Sequence, residues 1–281
     1  MDKIPSPQHT FGKTALATEH GPQPPKRAVP SVARAVHLLD MLAEAPQPMS
    51  LVALTSALGL PKSSVHGLCT TLVHAGLVTR FENGTYHLGL HVMDLAHAFL
   101  ARTDLTIEFV KLWESLALLP EETIILSVLD GADVVYVACR NGSRPLGVNF
   151  RIGMRLPANC TASGKALLSS LPPERVKAML HASGLRTLTK KRTGGLKGLL
   201  KQLAQARKRG YSVDDEETRD GMICFGAPVF DSRSGEAVAG VAVSMLKAAV
   251  DQRQRDLAAE AVKKMAQALS KRLGARGISL A

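Results

Sequence analysis

Residues 61–88 read PKSSVHGLCTTLVHAGLVTRFENGTYHL. In the first half, Val65, Leu68, Cys69 and Leu72 recur at i, i+3, i+4 and i+7, the spacing of one helical face. The second half surrounds Asn83-Gly84, the dipeptide that best favours a tight hairpin turn, and predicts strands over Leu77–Phe81 and Thr85–Leu88. A short helix followed at once by a hairpin is how a winged helix-turn-helix ends.

Working outward, SVARAVHLLDMLAEA predicts a first helix capped by Ser31, with Val32, Ala35, Val36, Leu39 and Leu42 on its apolar face and a stop at Pro46 and Pro48. Ser50 caps a second helix that ends at Gly59. Pro61 falls at the start of the third, where its missing N–H costs nothing, and Gly76 suits the position just past that helix's end. Gly89 opens a fourth helix with Val92, Leu95, Ala96 and Phe99 in a single stripe. Three helices and a wing in about 60 residues make a small core, so further packing or a second subunit is expected. Residues 1–29, rich in Pro, Gln, Thr and Gly, predict a disordered tail. Residues 30–89 form the winged domain and 90–104 a linking or dimerisation helix.

From residue 105 to 274 the pattern is α+β. A helix around Leu105–Leu118 carries the lone tryptophan, Trp113. Strands TIILSVL and DVVYVAC flank Asp130-Gly131, and a further strand is expected at Val148–Arg151. Helices follow at TASGKALL, Pro173–His181 and Leu196–Arg209, then strands GYSVD, MICFGAPVF and AVAGVAVSM. A closing helix, about Val250–Leu273, has Leu257, Ala261, Met265 and Leu269 at four-residue steps. This is an antiparallel sheet covered by helices, large enough for a ligand cavity.

Composition limits the functions. Aromatics are 4% of the chain, which argues against stacking on single-stranded bases. No apolar run reaches the roughly 20 residues of a membrane span, and no signal peptide is visible, so a cytoplasmic protein is expected. The four cysteines lie far apart without a CxxC, which argues for reduced, buried thiols rather than disulfides or zinc, and no metal or cofactor is expected. The net charge is +11, yet residues 1–95 hold seven Lys/Arg against six Asp/Glu. Nine basic residues and no acidic one fall between Arg186 and Arg209. Global charge therefore aids association with DNA without locating the surface that reads it. Eight of the nine histidines fall within the first 97 residues, which makes that part sensitive to pH near neutrality.

With 65, 68, 69 and 72 facing the core, the third helix presents Lys62, Ser63, Ser64, His66, Gly67, Thr70 and Thr71 outward. First-turn donors are those from which a recognition helix reaches phosphates and base edges. Arg80 and Asn83 in the wing are placed for the backbone or minor groove. In the second half, TASGKALL sets small residues and a hydroxyl before a helix, so the amides of Ala162, Ser163 and Gly164 make an anion site. Lys165 beside them is free to point to solvent, and an N-cap without a ligand is the plainer alternative. The run Asp214–Glu217 suits a structural turn better than a metal site.

The chain resembles the IclR family of bacterial transcription regulators. The resemblance rests on SVARAVHLLDMLAEA, LGLPKSSVHGL, LVHAGLV, TYHLG, LPANCTASGKALLSSLP and GYSVDDEETRDGMICFGAPVFDSRSGEAVAGVAVS. Together these stretches span about residues 30–272. It implies a winged helix-turn-helix, a linker helix, a GAF-like effector-binding domain, and a homodimer or dimer of dimers on a palindromic operator in double-stranded DNA. It implies that the loop before the TASGKALL helix holds the carboxylate of a small organic acid, and it brings Asp214, Met222, Cys224, Ala242 and Ser244 to that pocket. Met222 and Cys224, two apart on a strand, share a face. Two departures stand out. Members usually have Arg where this chain has Gly67, a mid-helix glycine that costs up to about 1 kcal/mol relative to Ala. Members often have Ser where this chain has Ala242, which favours a more apolar acid than one of glyoxylate size. Outside the resemblance, a thiol hydrolase using Cys224 or Cys160 with His181 as base is the alternative, and a protein-interaction module is a third.

Overall fold

The computed structural model describes residues 29–101, 104–116, 119–143, 150–191, 194–231 and 236–275. The expected tail therefore lies, save for Val29, outside the described residues. The chain divides into two compact units, one ending at Val92 and one beginning at Met93.

The first unit has helices α1 (Pro30–Glu44), α2 (Leu51–Leu58) and α3 (Lys62–His74). A three-stranded antiparallel sheet in the order β1-β3-β2 completes it, from β1 (Met49–Ser50), β2 (Val78–Arg80) and β3 (Thr85–Leu88). Its core is Leu38, Leu42, Leu54, Val65, Cys69, Leu72, Val78 and Tyr86. Ser50 caps α2, its hydroxyl accepting from the Ala53 amide at 3.2 Å. After α3, Gly76 at φ +70° lets its own N–H reach Val73 O and the Leu77 N–H reach Leu72 O, so the helix ends in a Schellman motif.

Several expectations need correction in this unit. Helix α1 starts at Pro30 behind Val29 with no side-chain cap, so Ser31 is inside it. Leu38 and Leu42 form its buried face, whereas Val32 and Val36 stay 59% and 52% exposed. The periodic stripe of α1 is thus wider than the core it meets. Pro61 is the N-cap of α3 rather than its first residue. The wing loop has four residues: the Gly84 N–H reaches Phe81 O, Gly84 is the left-handed residue at φ +78°, and Asn83 is not. Gly89 precedes α4 (His91–Ala101) instead of opening it; a Cβ there would lie 2.1 Å from Gly76 O. Strand β1 is an addition, held by pairing Met49 with Tyr86 and Ser50 with Thr85.

The second unit is a three-layer α+β fold. Its six-stranded antiparallel sheet runs β6-β5-β4-β9-β8-β7. The strands are β4 (Thr123–Asp130), β5 (Asp133–Arg140), β6 (Arg155–Pro157), β7 (Ser212–Asp215), β8 (Met222–Phe230) and β9 (Ala237–Leu246). Helices α5 (Asp104–Leu116) and α9 (Gln252–Arg272) cover one face, meeting Ile223, Phe225, Val241 and Val243. Helices α6 (Ala162–Ser170), α7 (Pro173–Ser183) and α8 (Gly195–Arg209) cover the other, meeting Ile125, Met222, Cys224 and Ala242. Strand β8 is buried on both faces, which is why its sequence is almost unbroken apolar. On α9, Ala261, Met265 and Leu269 are buried as expected, but Leu257 is 55% exposed. The strand expected at Val148–Arg151 falls largely outside the described residues; Phe150 and Arg151 are not in a strand, and the sheet edge is β6 instead.

Candidate functional site

Helix α3 carries no acidic side chain. Its residues Lys62, Ser63, Ser64, His66, Gly67 and Thr70 are all exposed on the side away from Val65, Cys69 and Leu72. A Cβ built on Gly67 meets nothing within 4 Å, so this position has room for any side chain. Thr70 and Thr71 donate their hydroxyls to His66 O at 2.9 Å and Gly67 O at 3.0 Å, which leaves their oxygens as outward acceptors. In the wing, Arg80 lies 5.9 Å from the Tyr86 ring centroid. Asn83 spends its carbonyl oxygen on the Thr85 amide (3.0 Å) and hydroxyl (2.7 Å), so it shapes the wing tip and offers only its amide N–H groups outward.

In the second unit, the first turn of α6 lies directly on the sheet. Two glycines make this possible. A Cβ on Gly226 would stand 2.5 Å from the carbonyl of Ala162, and one on Gly240 would stand 2.6 Å from Ser163 O. Against this turn lies a cavity lined by Ile125, Tyr136, Phe150, Thr161, Ala162, Ser163, Asp214, Thr218, Met222, Cys224, Ala242 and Ser244. Seven of the eight positions expected to hold an effector meet there. It is small, about 10 Å³ of space for a water's centre, which holds about one water.

Gly164 is the eighth position, and it does not line the cavity. Its amide is taken by the capping hydroxyl of Thr161 at 3.0 Å, and a Cβ there would strike Ala158 O at 2.4 Å. Among the described residues, the Ala162 and Ser163 amides at the start of α6 donate no hydrogen bond. Thr161, Tyr136, Phe150, Ile125 and Thr218 are lining residues not singled out in the sequence. Only Thr161 carried a local signal, as a threonine just ahead of a helix. Asp214 is buried, and its Oδ1 accepts from the amides of Glu217 (2.8 Å) and Thr218 (3.1 Å). Burial raises its pKa, against hydrogen bonds from Thr218 and the charge of Lys165.

Lys165 does not point to solvent. It is 1% exposed, with Nζ 2.8 Å from Glu217 Oε1 and 3.0 Å from Gln202 Oε1. Glu217, also buried, has its pKa raised by burial and lowered again by Lys165. The Asp214–Glu217 run is thus a turn with two inward and two outward acids. The outward pair, Asp215 and Glu216, meets Lys247, with Lys191 also on Asp215. Glu216 sits at φ +63°. The basic stretch before β7 is partly spent in the same way: Arg207 donates to Ser169 O at 2.8 Å and Leu171 O at 3.0 Å, closing the end of α6.

A thiol catalyst does not assemble. Burial pushes the Cys160 thiol up to about 11 and the Cys224 thiol well above its ordinary value, so neither supplies a thiolate near neutrality. His181 is on the exposed side of α7. Among the described residues no group of three or more His, Cys, Asp or Glu could hold a metal, and no helix is long and apolar enough to cross a membrane.

Residues 31–81 match the IclR helix-turn-helix domain, and residues 97–271 match the family described as bacterial transcriptional regulator IclR C-terminal. The chain belongs to the IclR family. This IclR-family chain is 33% identical to the transcriptional repressor IclR of Escherichia coli K12 over 246 residues, 85% of this chain and 87% of that one. It is 31% identical to the transcriptional regulator XynR of the same organism, covering 88% of this chain and 98% of that one. Among solved structures it resembles the Agobacterium tumefaciens repressor BlcR at 38% identity and a TM-score of 0.56, covering 88% of this chain and 98% of that chain. The family consists of transcriptional regulators, and this member is a DNA-binding regulator rather than an enzyme.

Proposed function

We propose that this regulator is a repressor that binds a palindromic operator through α3 and the wing, and whose grip is set by a small organic acid held in the α6 cavity. The observation that carries the reading is the convergence of Ala162 and Ser163, at the start of α6, with Asp214, Cys224 and Ser244 on one small cavity. A helix N-terminus of this kind favours a carboxylate. An acid larger than water fits only when the cavity wall gives way, so occupancy favours a different packing of the unit, and that difference couples ligand to DNA. Repression follows the names of several relatives.

Operator reading by a symmetric dimer or dimer of dimers places two recognition helices about one DNA turn apart. The exposed stripe of Val29, just ahead of α1, with Val32 and Val36 on it, at 59%, 59% and 52%, supports a partner there. The outward residues Lys62, Ser63, Ser64, His66, Gly67, Thr70, Arg80 and Asn83 form the reading surface. The decisive experiment is footprinting on the DNA upstream of the protein's own gene, at low salt, with and without candidate acids. A protected dyad whose occupancy changes with one acid is the expected result. No protected dyad under any condition would rule the reading out.

A further inference from the structure

On the face of the sheet opposite α6, the one covered by α5, lies a second and much larger cavity. Its volume is about 480 Å³, within the range of small-molecule sites. The wall is mostly apolar. Phe109, Val110 and Trp113 come from α5, Pro120 from the turn before β4, and Ala138 and Cys139 from β5. Phe109, Trp113 and Ala138 are buried and Val110 is exposed, so the cavity runs from the core to the surface. Burial pushes the Cys139 thiol up to about 11, so near neutrality it is uncharged and serves the wall as a small hydrophobe.

Two charged residues line the same space. Glu114 is exposed, where water and salt screen its charge. Arg140, the last residue of β5, is half-buried, with its guanidinium 4.2 Å from the Trp113 ring centroid and Nη1 donating to Pro120 O at 3.4 Å. Stacking occupies the face of a guanidinium and leaves its edge, which carries five N–H donors, for other partners. Arg140 forms no ion pair among the described residues, and neither the DNA-reading surface nor the α6 cavity uses it. We propose that this cavity is a second small-molecule site, taking an apolar carboxylate whose body lies against Phe109, Trp113 and Ala138 and whose carboxylate pairs with the edge of Arg140. Carboxylate and guanidinium match each other as two parallel N–H···O bonds. The inference does not depend on the reading of the α6 cavity.

Trp113 is the only tryptophan of the chain, so its emission reports from the wall of this cavity. The full chain is titrated with propionate, butyrate, hexanoate and octanoate while that emission is followed. A saturable change is expected, with Kd falling by up to about fourfold for each added methylene. Octanol, the same chain without the charge, is the companion ligand. In Arg140→Met the ratio of the octanoate Kd to the octanol Kd is expected to rise about tenfold or more, with octanol binding unchanged. Arg140→Gln is read by the same ratio, should the methionine disturb the packing on Trp113. No saturable change with octanoate, a Kd indifferent to chain length, or a ratio unmoved in both variants each overturns the inference. Emission that responds to dilution of the protein and to no acid would give the cavity to a second copy of the chain, and overturns it too.

Discussion

Lys165 and Gly67 are the two residues at which the chain departs most from what their types usually do. A lysine is rarely buried without a partner, and Lys165 has Glu217 and Gln202 within 3.0 Å. Removing one member of a buried pair leaves the other charge uncompensated, whereas replacing both with apolar groups does not. Lys165→Met should therefore cost about 3–5 kcal/mol of stability in urea denaturation. Lys165→Met combined with Glu217→Leu should recover most of that loss; a double variant as weak as the single one would mean that packing, not charge, fixes the position. Gly67 is the opposite case, an exposed helix residue with empty space where a side chain belongs. Gly67→Ala should raise stability by up to about 1 kcal/mol, seen as a higher midpoint at unchanged m-value. Gly67→Arg should steepen the dependence of log K on log salt by about 0.9, one phosphate's worth. An unchanged slope would place residue 67 away from the DNA.

At the scale of the element, α6 decides the cavity, and two glycines on neighbouring strands decide where α6 sits. Gly226→Ala introduces a methyl 2.5 Å from the Ala162 carbonyl, which is backbone and has nowhere to go. The helix start must lift from the sheet, with an expected cost of about 1–3 kcal/mol. Any stabilisation by an acid in a thermal-shift assay should vanish with it. A variant that loses stability yet keeps the acid's full shift would show that the first turn of α6 does not form the site. The helices and the long strands were legible in the sequence because their signals are local: Ser50 before α2, Gly76 after α3, and the apolar run of β8. What was not legible was decided by contacts distant in the chain. Strand β1 is two residues long and exists only through its pairing with Tyr86 and Thr85. The burial of Lys165 depends on a glutamate 52 residues away. Tyr136 and Phe150 reach the cavity through the register of the sheet and the loop beside it, which no spacing rule contains. Conversely, Gly164 follows Ala162 and Ser163 and reads with them as one anion loop, but the Thr161 hydroxyl takes its amide.

For the whole molecule, the question is what covers the apolar surface that one chain leaves open. Besides the α1 stripe, Leu90 and Met93 at the start of α4 are 84% and 66% exposed, more apolar surface than scattered single residues explain. Val32→Asp with Val36→Asp should lower the mass measured by analytical ultracentrifugation and leave the helical circular dichroism intact, since neither side chain is in the core. Affinity for a two-half-site duplex should fall much more than affinity for a single half-site. Unchanged mass would move the subunit interface elsewhere.

Gly67 also bears on how such a regulator changes over generations. Every glycine codon of the GGN type becomes an arginine codon by one base change, and the helix offers no steric barrier to the new side chain. On the proposed reading of α3, one point mutation separates the helix from a stronger hold on the DNA backbone. On that reading, selection sets the strength of DNA binding at that site alone, while the sheet and the cavity are left as they are.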